Sequence, residues 1–400
     1  MRVMALYLPQ YHCFKENDEW WGKGYTEWTA VKRGKPLFKN HVQPRVPLNG
    51  NYYDLDKEGL DTLRWQAKLA KEHGIYGFSI YQYYFKGHKL MQRPMEILLE
   101  NPDIDINYCI CWANETWTRT WYGLESEVLI EQEYGDEKDW SEHFDYCLRF
   151  FKDERYIKID NKPLLQIYKT FDIENLSQML SYFNERAKTE GFDGLYVVSG
   201  KTAQGCEKRE GIVDGYYYFE PGFTLKNDFS KTALLKYNTG IIIRSFINKF
   251  KKDKLLERRI NARDIIEPII NRSYKENEFP GLIPDWDNTP RRSYRGLVYT
   301  GTSPEYFEKA LRILKEKKSG HKTDFVFINA WNEYTVALTL ISTDTFKPLT
   351  VGINIFNGYN MIEWQYLFAA SLYAIVPVVI LFVGIEKNLV GGLTSGGVKG

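Results

Sequence analysis

Short apolar runs rich in Val, Ile, Phe and Tyr recur along the chain, with helical patterns between them. The runs at 3–8, 76–81, 107–112, 163–168, 195–199, 214–219, 297–300 and 325–331 read as strands, being too short for buried helices. Helical periodicity fills 60–73, 139–151, 175–189 and 304–317. Ser303-Pro304 marks a helix entry, with Ser303 as cap and Pro304 in the first turn. Parallel neighbours need a crossover, so eight strands alternating with helices predict an α/β fold, a (β/α)₈ TIM-type barrel. A doubly wound sheet is the competing topology.

Polar and aromatic clusters follow the strands directly: Pro9-Gln10-Tyr11-His12, Gln82-Tyr83-Tyr84, Asn114-Glu115, Glu220 and Asn332-Glu333. In a barrel those positions form the C-terminal face, where active sites lie. This regularity argues for an enzyme. Between 222 and 281 runs a basic helical stretch with Lys251, Lys252, Lys254, Arg258, Arg259 and Arg263. It reads as an insertion that caps the cleft or meets an anionic partner, or as a solvated helix face. From 366 to 385 the chain carries no charge, and Glu363, Glu386 and Lys387 bracket that stretch. Its length is enough to span a bilayer, and Pro377 is tolerable in a membrane helix. The Gly-rich stretch 391–400 opens no helix and is no phosphate loop.

Four hundred residues suit one large α/β domain or two ordinary ones. A net charge of +1 gives no global electrostatic case for nucleic acid. Aromatic residues make up 16% of the chain, with 11 Trp and 29 Tyr, which suits a cleft that stacks rings on sugar faces as well as a large core. The five cysteines (Cys13, Cys109, Cys111, Cys147, Cys206) show no disulfide or zinc spacing, and an odd count suits a reducing cytoplasm. Cys109 and Cys111 alternate on one strand and are expected as buried thiols. The apolar run 3–8 is too short for a signal peptide, with Gln10 and His12 following at once. The barrel is thus expected in the cytoplasm. No metal or cofactor is expected. Asp103-Ile104-Asp105 has the form used by metal-dependent nucleotide-sugar transferases, but it precedes a strand, at the wrong end of a barrel.

Six segments together resemble the WbsX-like family, the glycoside hydrolase family 99-like domain of bacterial surface-polysaccharide clusters. They are YLPQYH (7–12), NDEWWGKGYTEW (17–28), KPLF…QP (35–44), CWANETWTR (111–119), PDWDNTPRR (284–292) and FINAWNEY (327–334). The resemblance covers residues 1 to about 334 and implies a (β/α)₈ barrel acting on a glycan or sugar donor, as glycosyltransferase or glycoside hydrolase in O-antigen or capsule metabolism. The remainder, AWNEYTVALTLIS (330–342) and 363–400, resembles the end of a MalG-type sugar ABC-transporter permease. Both families carry Ala-Trp-Asn-Glu-aromatic at the join, so the chain reads as a chimera. The permease portion lacks the helices and coupling loop needed for transport, leaving 366–385 as a possible membrane contact. A glycan-binding module tethered by that segment is the alternative to an enzyme.

Glycosyl chemistry usually takes two carboxyl groups flanking the anomeric carbon. The chain offers Glu27, Glu115, Glu220, Asp285, Asp287 and Glu333. In related hydrolases the pattern is Asn-Glu-Trp-x-x-Glu-Gly, with the first Glu as base on the sugar 2-hydroxyl and the second as acid/base. Glu333 matches the first, Tyr334 stands for the aromatic, and Val336 occupies the second Glu position. Glu115, in a second strand-then-Asn-Glu pattern, is either the other catalytic carboxylate or a group holding Arg119 or Trp117. The family has a second Arg and an Asp where Thr120 and Tyr122 stand, and His and Trp where Gln82 and Tyr84 stand. Glu27, in a Gly-punctuated loop with Trp20, Trp21 and Trp28, is assigned to binding. So is Asp287, beside Trp286 and Asn288 on a loop before the expected seventh strand. The alternative for Asp287 is an Asx turn that stabilises the loop. The remaining expected substrate contacts are Tyr7, Gln10, His12, Tyr81, Tyr83, Trp112, Asn114, Trp117, Trp331 and Asn332.

Overall fold

The computed structural model describes residues 1–119, 124–203, 211–229, 231–251 and 256–332. The chain divides into two units, Met1–Ile341 and Ser342–Gly400. Every described residue lies in the first. Glu333, Val336 and the segment 366–385 lie outside the described residues.

Eight parallel strands form a barrel-like sheet. They are β1 (Arg2–Tyr7), β2 (Gly77–Phe85), β3 (Asn107–Trp112), β4 (Lys162–Ile167), β5 (Tyr196–Lys201), β6 (Gly215–Tyr218), β7 in two pieces (Glu278–Phe279 and Gly281–Leu282) and β8 (Phe325–Ile328). Each pairs with its sequence neighbour, and β8 pairs with β1 through Arg2↔Phe325 and Ala5↔Ile328. The strands are near-continuous apolar runs because both faces of a barrel sheet are covered, by packed side chains inside and by helices outside. Crossover helices include α1 (Gly59–Glu72), α2 (Arg93–Glu100), α3 (Glu137–Phe151), α4 (Leu176–Thr189), α5 (Lys231–Lys249), α6 (Ala262–Asn271) and α7 (Pro304–Lys317). Ser303 caps α7 by accepting from the Tyr306 N–H, and Pro304 stands in its first turn. Cys109 and Cys111 are buried as expected, and burial raises both thiol pKa values, that of Cys111 to about 12.

The seventh strand is not the expected one. Leu297–Thr300 pairs with Arg258–Asn261 in a separate two-stranded sheet, while the barrel position belongs to β7. Pro and Gly in its middle strip β7 of a strand signal. Both fit the place they occupy. The first piece pairs with β6 (Tyr216↔Glu278) and the second with β8 (Gly281↔Phe327), so Pro280 sits where the strand changes partner. Its carbonyl still accepts the Phe327 N–H at 2.9 Å. Gly281 passes so close to β6 that a Cβ there would lie 1.9 Å from the Tyr218 carbonyl oxygen. Through this split strand the sheet closes on itself, which excludes the doubly wound alternative. The basic stretch expected as an insertion therefore runs into the barrel, after supplying α5, Arg258–Asn261 and α6.

Asp103 and Asp105, which precede β3, pair with Arg64 (2.8 Å) and Lys71 on the face opposite the loops described below. Among the described residues no helix is long and apolar enough to cross a membrane.

Gly281→Ala is expected to cost about 2 kcal/mol of stability through overpacking at the β6–β7 contact. Denaturant unfolding checks this; a loss below about 0.5 kcal/mol would show that the ring does not depend on that close approach.

Candidate active site

At the C-terminal rim, two asparagines extend the strand ladder with their side chains. Asn114, two residues past β3, donates from Nδ2 to the Lys169 carbonyl and accepts the Lys169 N–H at Oδ1, both at 2.8 Å. Asn332, past β8, does the same to the backbone of Leu8, also at 2.8 Å twice. A carboxamide carries an acceptor beside a donor, so it closes on the N–H and C=O of one residue as another strand would. Asn114 and Asn332 therefore join the end of β3 to the end of β4, and that of β8 to that of β1. Glu115 and Glu333 are the residues that follow.

Above this rim opens a cavity of about 740 Å³, a volume that suits a small-molecule or oligosaccharide ligand. Its walls include Gln10, Trp21, Tyr25, Tyr81, Tyr83, Trp117, Tyr168, Phe219 and Trp286, with Glu115, Lys169, Asp172, Arg291 and Arg292 as charged members. Tyr83 meets Trp117 edge-on with centroids 5.1 Å apart, and Trp20 backs Trp117 at 5.7 Å. Glu115 is 43% exposed and pairs with Lys169 Nζ at 2.5 Å.

Of the other candidate carboxylates, Glu27, Glu220, Asp285 and Asp287 are sealed. Glu27 pairs with Arg291, whose Nε donates at 2.9 Å; burial raises the Glu27 pKa and the Arg291 charge opposes that. Glu220 is fully buried against Arg272 (3.0 Å) and the Thr224 N–H (3.1 Å), with a pKa raised by burial and held back by the Arg272 charge. Asp285 pairs with Arg45 at 2.9 Å. Asp287 is fully buried: Oδ2 accepts from His41 Nε2 (2.8 Å) and Gln43 (2.5 Å), Oδ1 from the Thr289 N–H (3.0 Å) and hydroxyl (2.6 Å). The Leu37 N–H donates to His41 Nδ1, which leaves Nε2 as the donor toward Asp287. Burial pushes the Asp287 pKa up, but His41, the charge of Arg45, Thr289 and Gln43 together outweigh it and hold the carboxyl below its usual range.

Of the residues expected to bind substrate, Gln10, Trp21, Tyr81, Tyr83, Trp117 and Trp286 line the cavity, as does Glu115, expected to be catalytic. The structure places others in the framework, several of them through polar atoms that find partners inside the protein. Tyr7 donates to Gln66 (2.7 Å), Trp28 to the Tyr53 carbonyl (2.7 Å) and Trp112 to the Tyr84 carbonyl (3.2 Å). His12 is buried, and burial lowers its pKa. Trp331 packs on Phe78 at 5.2 Å. Asn288 accepts the Leu297 N–H at 2.7 Å. Asp287 holds the Asx turn, Glu27 the Arg291 ion pair, and Asn114 and Asn332 the rim. The Arg119 side chain and Glu333 lie outside the described residues. Sequence reading missed Tyr25, Tyr168, Lys169, Asp172, Phe219, Arg291 and Arg292. Lys169 and Asp172 follow β4 as the other clusters follow their strands, and Arg291-Arg292 close the PDWDNTPRR segment.

Residues 3–346 match the model of the family described as glycosyltransferase WbsX, past the join expected near 334. Over 343 residues the chain is 32% identical to the uncharacterized protein WxcX of Xanthomonas campestris pv. campestris, covering 84% of this chain and 47% of that protein. The chain thus spans about half the length of the curated relatives it matches. A second likeness, 42% identity over 74 residues, is to the sulfoquinovosyl glycerol transport system permease protein SmoH of Agrobacterium fabrum; it covers 18% of this chain and 26% of that protein. Among solved structures, a GH99 endo-alpha-mannosidase from Bacteroides thetaiotaomicron aligns at TM-score 0.46 and 11% identity, over 83% of this chain and 84% of that one. So loose a likeness carries nothing about substrate.

Because its folded-state pKa is depressed, the charge of Asp287 stabilises the fold above the ordinary Asp value of about 3.9. That contribution is lost as pH falls through the lower folded value. Asp287→Asn should cost about 3 kcal/mol at pH 7 and leave a shallower loss of stability on acidification than the wild type shows. Denaturant titrations between neutral and acid pH measure both; parallel curves would show that this carboxylate carries no such linkage.

Proposed function

Since the chain belongs to the WbsX glycosyltransferase family, we propose that its barrel is a carbohydrate-active enzyme of surface-polysaccharide metabolism, working at the anomeric carbon of a glycan or sugar donor. The observation that carries this reading is the difference among carboxylates. Glu27, Glu220, Asp285 and Asp287 are locked in buried pairs, whereas Glu115 stands half-exposed in an aromatic-walled cavity at the C-terminal face. Asp172 also lines that cavity, but it lies on the loop after β4 with no Asn clasp before it.

In this reading Glu115 and Glu333 are the two working carboxylates, each following in sequence an asparagine whose side chain clasps a neighbouring strand end. The glycosidic C–O bond breaks as a new C–O bond forms to a sugar hydroxyl or to water. The proton lost by that acceptor passes through a carboxylate, and the departing oxygen takes one up. Lys169 orients Glu115 from the buried side, and rings such as Trp117, Tyr83 and Trp286 offer faces for sugar C–H groups. Val336 at the second Glu position of the family pattern favours one other reading, a module that binds glycan without turning it over.

Incubation with candidate glycans and activated sugars separates the two. Glu115→Gln and Glu333→Gln are each expected to lower kcat by about 100-fold or more while glycan binding persists. Unchanged turnover in either variant removes that residue from the chemistry, and wild-type binding with no turnover selects the binding module.

The domain limit near 334, the tether and the cytoplasmic placement also belong to this proposal: the tail beyond the barrel comes from a sugar-permease gene, and residues 366–385 hold the chain to a membrane. Carbonate-washed membranes should retain the full chain. Its complete release into the supernatant would contradict the tether.

A further inference from the structure

Helix α5 is apolar on two sides and covered on one. Its inner side is fixed at both ends. Tyr237 accepts from Arg258 Nη2 at 2.7 Å and meets the Phe229 ring at 6.4 Å. Asn248 accepts the Leu256 N–H (2.7 Å) and donates to the Leu256 carbonyl (2.9 Å). Tyr237 and Asn248 are about three helical turns apart and so share a face. The opposite side presents Leu235, Ile242, Ile243 and Phe246, with Phe250 just beyond the helix end. They are 52–75% exposed and make up most of the exposed large hydrophobic residues among those described. Leu235, Ile242, Phe246 and Phe250 recur at helical spacing and form one stripe. The Phe246 and Phe250 rings meet edge-on at 5.1 Å. An apolar helix face is stable where it is covered, and this stripe of α5 is bare.

Charge indicates the occupant. Between Asp228 and Asp253 the chain carries Lys231, Lys236, Lys249, Lys251 and Lys252 besides Arg244 on the covered side, and no Asp or Glu. A second copy of this chain would set like charges against like, which disfavours association. An anionic lipid surface accepts both halves of the pattern: the Phe and Ile side chains enter the acyl boundary while lysines reach the headgroup phosphates. We infer that α5 is an interfacial helix that docks the barrel on an anionic bilayer, lying along the surface. This is a different segment from 366–385 and does not depend on the catalytic reading.

The test is hydrogen exchange of the full chain with vesicles of phosphatidylglycerol and phosphatidylcholine, or of phosphatidylcholine alone. Because exchange is read at α5 itself, any binding through 366–385 is scored separately. The account predicts slower exchange over 238–250 with the anionic vesicles only, weakened by salt. Phe246→Ser/Phe250→Ser should abolish that protection. Both side chains are exposed, so the fold should survive. Vesicle binding that leaves 238–250 unprotected, or protection that the double substitution leaves intact, would overturn the inference. So would protection that grows with protein concentration in the absence of lipid, which would mark the stripe as a contact between copies.

Discussion

Beyond the last ladder bonds of β3 and β8, an asparagine side chain takes over from the backbone. Asn114 and Asn332 each make two hydrogen bonds to the backbone N–H and C=O of one residue at the adjacent strand end, at buried positions. A buried amide left unpaired costs roughly 1–3 kcal/mol, so each clasp holds firmly once formed. Aspartate lacks the donor and glutamine adds a rotatable bond, so neither reproduces the match. The clasp fixes where the chain leaves the rim, and with it where the next residue begins. At β3 that residue is Glu115, which enters the cavity.

The loops above the rim are held by charge pairs that differ from Glu115 in one respect: they are dry. Glu27–Arg291 and Asp285–Arg45 join segments far apart in sequence, and the His41–Asp287–Thr289 network ties the loop after β1 to the loop after β7. Breaking a buried pair leaves an uncompensated charge, so such pairs fix loop position even where their net contribution to stability is small. Arg291, itself one of these anchors, and Trp286, between Asp285 and Asp287, are thereby set in the cavity wall. Glu115 keeps a solvent-facing side and, among the described residues, pairs with Lys169, the combination a reacting carboxylate needs if substrate is to reach it.

Most of the barrel was legible because a strand covered on both faces must be a short apolar run, as β1 to β6 and β8 are. β7 was hidden by Pro280 and Gly281, the two residues that let it change partners and approach β6. Leu297–Thr300 has the pattern of a barrel strand and serves a different sheet, since pattern reports burial and not the partner. In the site, the rule that polar residues follow strands found Gln10, Tyr83 and Glu115. It did not separate Asn from Glu within a pair, because the partners of Asn114 and Asn332 lie 55 and 324 residues away. Asp287 reads as a loop carboxylate in sequence, and only the approach of His41 and Gln43 shows that its oxygens are occupied.

The central claim is that Glu115 faces the reacting carbon of a bound sugar. The most direct measurement is a crystal structure of the chain with an iminosugar, whose ring cation mimics the charge that develops at that carbon. The account predicts the sugar in the cavity, with its ring nitrogen about 3 Å from the Glu115 carboxylate. A sugar seated elsewhere, with Glu115 still closed on Lys169, would contradict it.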